Sequence, residues 1–275
     1  MRTPLLLVFS MLILGLSACQ TGARNQEIAY VERPVERIYS LAVGEMDKSD
    51  YTEAVQLFNE VERQHPYSEW ARRSALMSAF ASYQARDYET SIGTAQRFIS
   101  LNPAADDAAY AYYLISVSHF DQIVDVGRDQ NTTELAKAAL TDVIRRFPDS
   151  DYARDASLKL DMVQDQLAGK EMSVGRWYLR RNQHLAAVNR FKTVVREYET
   201  TGHSAEALHR LVETYLSLGL KQEALAAGAV LGYNYPNSEW YRMSYRLLGG
   251  EGLNPDTFSD DQRRTWLQRL IPGGR

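Results

Sequence analysis

His65-Pro66-Tyr67-Ser68-Glu69-Trp70 returns twice along the chain, as Phe147-Pro148-Asp149-Ser150-Asp151-Tyr152 and as Tyr235-Pro236-Asn237-Ser238-Glu239-Trp240. Each copy reads as a corner between two helices. Proline lacks an amide hydrogen and clashes with the turn before it, so it ends the incoming helix. Serine two residues later can accept a hydrogen bond from the unpaired amides of the next helix. An acidic side chain in that helix's first turn meets the positive end of its dipole. The aromatic that follows is placed to pack back across the corner.

Working outward, apolar residues at helical spacing lead into each corner. Tyr51 and Ala54 run through Phe58 and Val61 to Pro66, and Tyr88 runs through Ile92, Phe98 and Ile99 to Pro103. Leu135 and Ala136 run through Leu140, Val143 and Ile144 to Pro148. Ala187 runs through Phe191 and Val194 to Glu199, where the proline is missing, and Ala224 runs through Leu225 and Leu231 to Pro236. Before each stands a partner helix rich in small and aromatic residues, predicted over Val35–Met46, Glu69–Gln84, Asp106–Gln122, Met172–Arg181 and Ser204–Leu218.

Such pairs resemble tetratricopeptide repeats of about 34 residues. Gly175, Tyr178, Ala187 and Phe191 carry the pattern best, followed by Tyr215, Ala224 and Pro236. The first copy keeps Ala42, Ala54 and Phe58 but has Glu45 at a tyrosine position, and the second has Ser91 and Ala95 at the alanine and aromatic positions. A polar insertion, about Gly127 to Thr133, interrupts the third. One such unit cannot bury its apolar face alone, so the units stack. The resemblance implies an all-α, right-handed solenoid of five tetratricopeptide-like helix pairs with a C-terminal helical extension. In that extension Ser259 can cap a helix that begins with Asp260 and Asp261, and Phe258, Trp266, Leu267 and Leu270 give it an apolar side before Pro272. It can cap the last repeat or bind an accessory subunit.

The leading residues are of another kind. Arg2 is followed by an apolar run from Leu5 to Leu16 and by Leu16-Ser17-Ala18-Cys19. The run is shorter than the roughly 20 residues that span a bilayer core. It has the three parts of an export signal, and Leu-Ser-Ala-Cys resembles the bacterial lipobox. Cys19 is the only cysteine in the chain. It therefore has no disulfide partner within the chain, and it stands where a lipobox places its acylated thiol. The expected product carries diacylglyceryl and N-acyl chains on Cys19 and needs no other cofactor. Gln20 is not the aspartate that retains such lipoproteins at the inner membrane, which points to the periplasmic face of an outer membrane. The expected organisation is a signal peptide over 1–18, a lipid-anchored tether over 19–34, N-terminal repeats over 35–126, C-terminal repeats over 127–248 and a tail with a short helix over 249–275.

Composition narrows the chemistry. The 275-residue chain carries a formal net charge of −4, without the basic footprint that nucleic acid demands. His65, His119, His184, His203 and His209 are scattered, with no metal-binding spacing. Leu248-Gly249-Gly250-Glu251-Gly252 ends a helix and is not a phosphate-binding turn. No catalytic constellation emerges, so the chain is not expected to be an enzyme. Its 17 tyrosines instead suit helix packing or a binding surface.

A lipobox before five tetratricopeptide-like pairs resembles the BamD/ComL-type lipoproteins of the outer-membrane β-barrel assembly machinery. The telling stretches are Ala54-Val55-Gln56-Leu57-Phe58 with the first corner, Ser173-Val174-Gly175-Arg176-Trp177-Tyr178 with Ala187-Val188-Asn189-Arg190, and the polar insertion. Glu199 in place of proline and the long tail from Gly249 depart from the pattern. The resemblance implies that the N-terminal repeats receive unfolded outer-membrane protein precursors through a C-terminal signal ending in an aromatic residue. Tyr39, Phe80, Tyr83, Tyr110 and Tyr113 are the groove candidates, although each could equally fill the helix-pair core. It also implies docking of the C-terminal repeats on the central insertase subunit, alongside accessory lipoproteins. Trp177, Tyr178, Arg181 and Arg190 match that surface. Arg190 is the foremost contact, because its planar fork suits an interfacial carboxylate. Two other readings compete: a periplasmic tetratricopeptide lipoprotein of cell-wall or pilus assembly, and an envelope enzyme such as a murein hydrolase helper.

Overall fold

In a computed structural model of the chain, residues 33–270 are described. Cys19, the lipobox and the tether to Glu32 lie outside them, as does Pro272. Every regular element among the described residues is helical. The helices are α1 (Val35–Asp47), α2 (Tyr51–Gln64), α3 (Glu69–Gln84), α4 (Tyr88–Leu101), α5 (Ala108–Phe120), α6 (Asn131–Arg146), α7 (Asp151–Leu179), α8 (His184–Glu197), α9 (Ser204–Ser217), α10 (Lys221–Asn234), α11 (Glu239–Gly250) and α12 (Asp260–Leu270). A single 3₁₀ turn, Pro255–Thr257, precedes α12. None of these helices is long and apolar enough to cross a membrane.

The repeated corner forms as its chemistry dictates. The Oγ of Ser68, Ser150 and Ser238 accepts from the amides of Ala71, Ala153 and Tyr241. In the first two copies the same hydroxyl donates back to the carbonyl of His65 or Phe147, 2.8 Å away. The incoming helices all end in one backbone conformation, with φ near −132° at His65, Asn102 and Phe147, and −134° at Tyr235. Tyr198 adopts it too, at φ −133°, without the proline. There Thr201 and Ser204 both donate to the Tyr198 carbonyl, at 2.8 and 2.9 Å, and hydroxyls take over the stop signal that Glu199 cannot supply.

The turn inside a pair follows a second rule. Ser49, Arg86, Asn182 and Gly219 each adopt positive φ, between 59° and 74°, one residue before the cap of the second helix. Asp50 and Asp87 then cap α2 and α4. The third pair lacks this turn, because the insertion lies between α5 and α6, over residues 121–130. Its predicted end at Thr133 is too late: Asn131 to Thr133 already belong to α6, and Thr133 is buried.

One helix is longer than its sequence pattern suggests. The segment predicted over Met172–Arg181 is the last third of α7, a continuous 29-residue helix that starts at the second corner. Gly169 and Gly175 sit within this unbroken helix, where His203 and Phe191 come close to their backbone. Consecutive helices pack pairwise along the array, and first helices also touch the next first helix, as in α1–α3, α3–α5, α5–α7 and α9–α11. The apolar core falls into three clusters, around Phe58, around Phe98 and around Phe191, the last running on to Leu270.

The tail closes the array from the side. Ser259 and Gln262 bond reciprocally through side chain and amide, at 2.8 and 3.3 Å, as a capping box. Trp266 is 1% exposed, and its indole donates to Glu223 of α10 at 2.6 Å. α12 thus lies across α10 and α8 and covers the last pair.

Candidate functional site

The aromatic residue of each corner reaches back onto the preceding first helix. Trp70 lies 4.9 Å from Tyr39, centroid to centroid, and Trp240 lies 5.3 Å from the His209 ring. In the middle copy Tyr152 does more, because its ring is 5.5 Å from Tyr110 and 5.2 Å from Tyr113. Tyr110 in turn lies 6.3 Å from Phe80. These are separations at which offset aromatic pairs attract. Phe80, Tyr110, Tyr152 and Tyr113 therefore form one continuous track over α3, α5 and the start of α7.

Carboxylates flank the track. The Tyr113 hydroxyl donates to Asp155 at 2.5 Å, and the Tyr83 hydroxyl donates to Asp121 at 2.7 Å. Lys159 completes the first pair, 2.7 Å from the same Asp155 oxygen. Burial pushes the Tyr110 hydroxyl up to about 12. Burial first, and then the neighbouring carboxylate, push Tyr83 and Tyr113 higher still. All three stay neutral at physiological pH, so the track's hydroxyls are uncharged, and its half-buried rings also pack against the core clusters beneath.

Of the groove candidates, Phe80, Tyr83, Tyr110 and Tyr113 are thus gathered around one face, half-buried. Tyr39 is not in ring contact with them; it packs against Phe58 and Trp70 beside the first core cluster, as Phe80, Tyr83 and Tyr110 pack beside the next one. Tyr152 joins the track from outside the sequence-derived set. Its signal was its place in the corner motif, which had suggested packing alone.

The partner candidates divide in the same way. Trp177 is 40% exposed at the end of α7 and meets Tyr178 edge to face at 5.1 Å. The Arg181 guanidinium lies over the Trp177 ring at 3.9 Å, a cation–π stack. Leu185, 69% exposed in the first turn of α8, adds apolar surface just past the α7–α8 turn. Tyr178 is half-buried against the main core cluster. Arg190 stands apart, paired with Glu171 of α7 at 3.2 Å. Among the described residues no group of His, Cys, Asp and Glu side chains is arranged to hold a metal ion.

A family model described as YfiO, outer membrane lipoprotein, matches residues 31–231. The chain belongs to that family. It is 51% identical to an outer membrane protein assembly factor BamD of Caulobacter vibrioides, over 94% of this chain and 85% of that one. It is 43% identical to the factor of the same name from Rickettsia prowazekii, over 88% of this chain and 96% of that one. A solved thermophilic TPR protein of Thermus thermophilus, 18% identical, superposes with a TM-score of 0.37 over 78% of this chain and 98% of that chain. The family model stops at residue 231, so α11 and α12 lie beyond it.

Proposed function

We propose that this chain is a non-enzymatic outer-membrane protein assembly factor, held through lipid on Cys19 at the periplasmic face of the outer membrane. Family membership and the naming of its 51% and 43% identical relatives support the general role. In this reading unfolded barrel precursors bind over residues 35–126 and the start of α7. The insertase subunit docks over residues 127–248, around Trp177 and Arg181, with accessory lipoproteins in the same assembly.

One observation carries the precursor half of the reading: the track of Phe80, Tyr110, Tyr152 and Tyr113 across three successive first helices. An extended segment ending in an aromatic residue gains ring-to-ring contacts there, and it loses little by leaving water because the track's hydroxyls are uncharged. Asp121 and Asp155 hold the Tyr83 and Tyr113 hydroxyls, which fixes the flanking rings in place.

The test uses the intact chain in detergent and a synthetic peptide with a C-terminal phenylalanine, against the same peptide ending in alanine. Tyr152→Ala and Tyr113→Ala should each weaken the phenylalanine peptide about threefold to tenfold, the worth of an aromatic pair, and leave the alanine peptide's weaker binding unchanged. Equal binding of both peptides would remove the reading. For the docking half, detergent pull-down followed by mass spectrometry should return an integral β-barrel subunit, with recovery falling in Trp177→Ala. Cleavage of peptidoglycan by the purified chain would overturn the non-enzymatic reading.

A further inference from the structure

The first and last helices to follow a serine-capped corner can be laid over each other residue by residue. Ser68, Glu69, Trp70, Arg72 and Ser74 of α3 match Ser238, Glu239, Trp240, Arg242 and Ser244 of α11. Elsewhere the two helices differ, and one face carries three of the differences. Ala75, Leu76 and Ala79 of α3 correspond to Tyr245, Arg246 and Gly249 of α11. In α3 that face is covered: Leu76 and Ala79 are buried with Ala95 and Phe98 of α4 and Leu114 of α5. In α11 it is open, with Tyr245, Arg246 and Gly249 all exposed. The helix that follows in sequence does not cover it, since α12 packs across α10 and α8.

An open end of a solenoid needs only a polar cap to remain soluble. This one keeps apolar surface as well. Tyr245 is 44% and Leu247 42% exposed. Tyr241 and Tyr245 meet edge to face at 5.9 Å beside Pro236 and form one wall of an open cleft. The cleft's acidic groups are Asp256, which accepts from the Tyr241 hydroxyl at 3.1 Å, and Glu239, in the first turn of α11. Arg242 and Arg246, one turn apart, form no ion pair with any described residue. Tyrosine and arginine are the residue types that anchor protein interfaces.

We propose that the outer face of α11 docks an acidic amphipathic helix of another protein, seated where the second helix of a sixth pair would stand. Two carboxylates one turn apart on the incoming helix meet Arg242 and Arg246, and an apolar side chain between them packs on Tyr245. The surface lies beyond the span of the family model, and neither Trp177 nor Arg181 lines its cleft. It stands whether or not the precursor and insertase readings hold.

The experiment places a photo-cross-linking amino acid at Tyr245, and separately at Leu247, in the full-length lipoprotein expressed in its own membrane, and maps the joined peptides by mass spectrometry. Both positions should join to one acidic segment of another protein. Arg242→Glu with Arg246→Glu should reduce that product by about tenfold or more, since like charges then face each other. Arg242→Lys with Arg246→Lys should retain much of it. The thermal melt should stay unchanged in both, because the arginines are exposed. A product on this chain's own residues, on a second copy, on lipid or on a basic segment would overturn the proposal. So would a product indifferent to charge reversal, or no product at all.

Discussion

Gly175 of α7 and Phe191 of α8 touch with no room for a methyl group between them. A Cβ at residue 175 would lie within 3.0 Å of three ring carbons of Phe191, a side chain that is itself fully buried. Two effects of Gly175→Ala oppose each other. Alanine favours the helix by about 1 kcal/mol, and overpacking costs about 1–3 kcal/mol. Overpacking wins here, because the ring is enclosed and cannot swing aside. A net loss of about 1 kcal/mol is expected, a fall in melting temperature of roughly 2–4 °C for a domain of this size. Phe191→Leu in the same chain should relieve part of the alanine's cost. Gly93→Ala in α4, where the added methyl meets nothing within 4 Å, should instead raise the melting temperature.

The turns inside the pairs offer a stabilising change. Arg86 is held at φ 60°, a conformation that costs a side-chain-bearing residue about 1–2 kcal/mol. The equivalent position before α10 is Gly219, at φ 74°. Arg86→Gly should therefore stabilise the chain by about 0.5–1 kcal/mol, after glycine's greater freedom in the unfolded state is counted. Gly219→Ala should destabilise it by a similar amount. Chemical denaturation of both variants checks the pair, and a loss of stability in Arg86→Gly would show that the arginine side chain does more in the turn than occupy it.

These local rules explain what could be read in the sequence. The corners were legible because proline, serine and an acidic residue act within a few positions of one another, and the three capped copies formed as expected. The corner at Tyr198 was harder to see, since hydroxyls from Thr201 and Ser204 replace the proline. The length of α7 was hidden because a continuous helix carries no punctuation, and its glycines answer to neighbours distant in sequence. The aromatic track was half legible. Phe80, Tyr83, Tyr110 and Tyr113 could be placed on first helices by periodicity, but that Tyr152 joins Tyr110 to Tyr113 depends on how α7 crosses α5. For the same reason periodicity places Tyr39 on a first helix without showing that its ring neighbours are Phe58 and Trp70 and not the track.

Acid should weaken the C-terminal pairs through Glu213. The His209 imidazole, 3.5 Å away, and the Arg210 guanidinium, 2.7 Å away, hold its carboxyl below the ordinary 4.5, against the opposing effect of burial. A carboxyl depressed in the folded state stabilises the fold above its unfolded value, and that contribution fades as pH falls through the folded one. The melting temperature of the parent chain should therefore exceed that of Glu213→Gln at pH 7. The gap should narrow below about 4.5, where the unfolded carboxyl begins to take up protons. A gap that is constant from pH 7 to pH 3 would show that Glu213 acts by shape and not by charge.

Arg190 sets a choice between two roles that one pair of variants can separate. It is the foremost contact implied by family resemblance, yet its guanidinium is engaged by Glu171 within the chain, with the arginine side chain 43% and the glutamate 19% exposed. A half-exposed pair of this kind contributes about 0–1 kcal/mol, so Arg190→Ala should lower the melting temperature by no more than about 3 °C. If Arg190 also meets a carboxylate of the docking partner, Glu171 competes for it. Arg190→Ala should then reduce recovery of the insertase subunit in a detergent pull-down by about tenfold, the scale of losing one side of a desolvated charge pair. Glu171→Gln, which releases the guanidinium, should keep recovery at the parent level or raise it. Equal losses in the two variants would mean that the Arg190–Glu171 pair serves to hold α8 against α7, and that the docking contact lies elsewhere, with Trp177 and Arg181 the next residues to change.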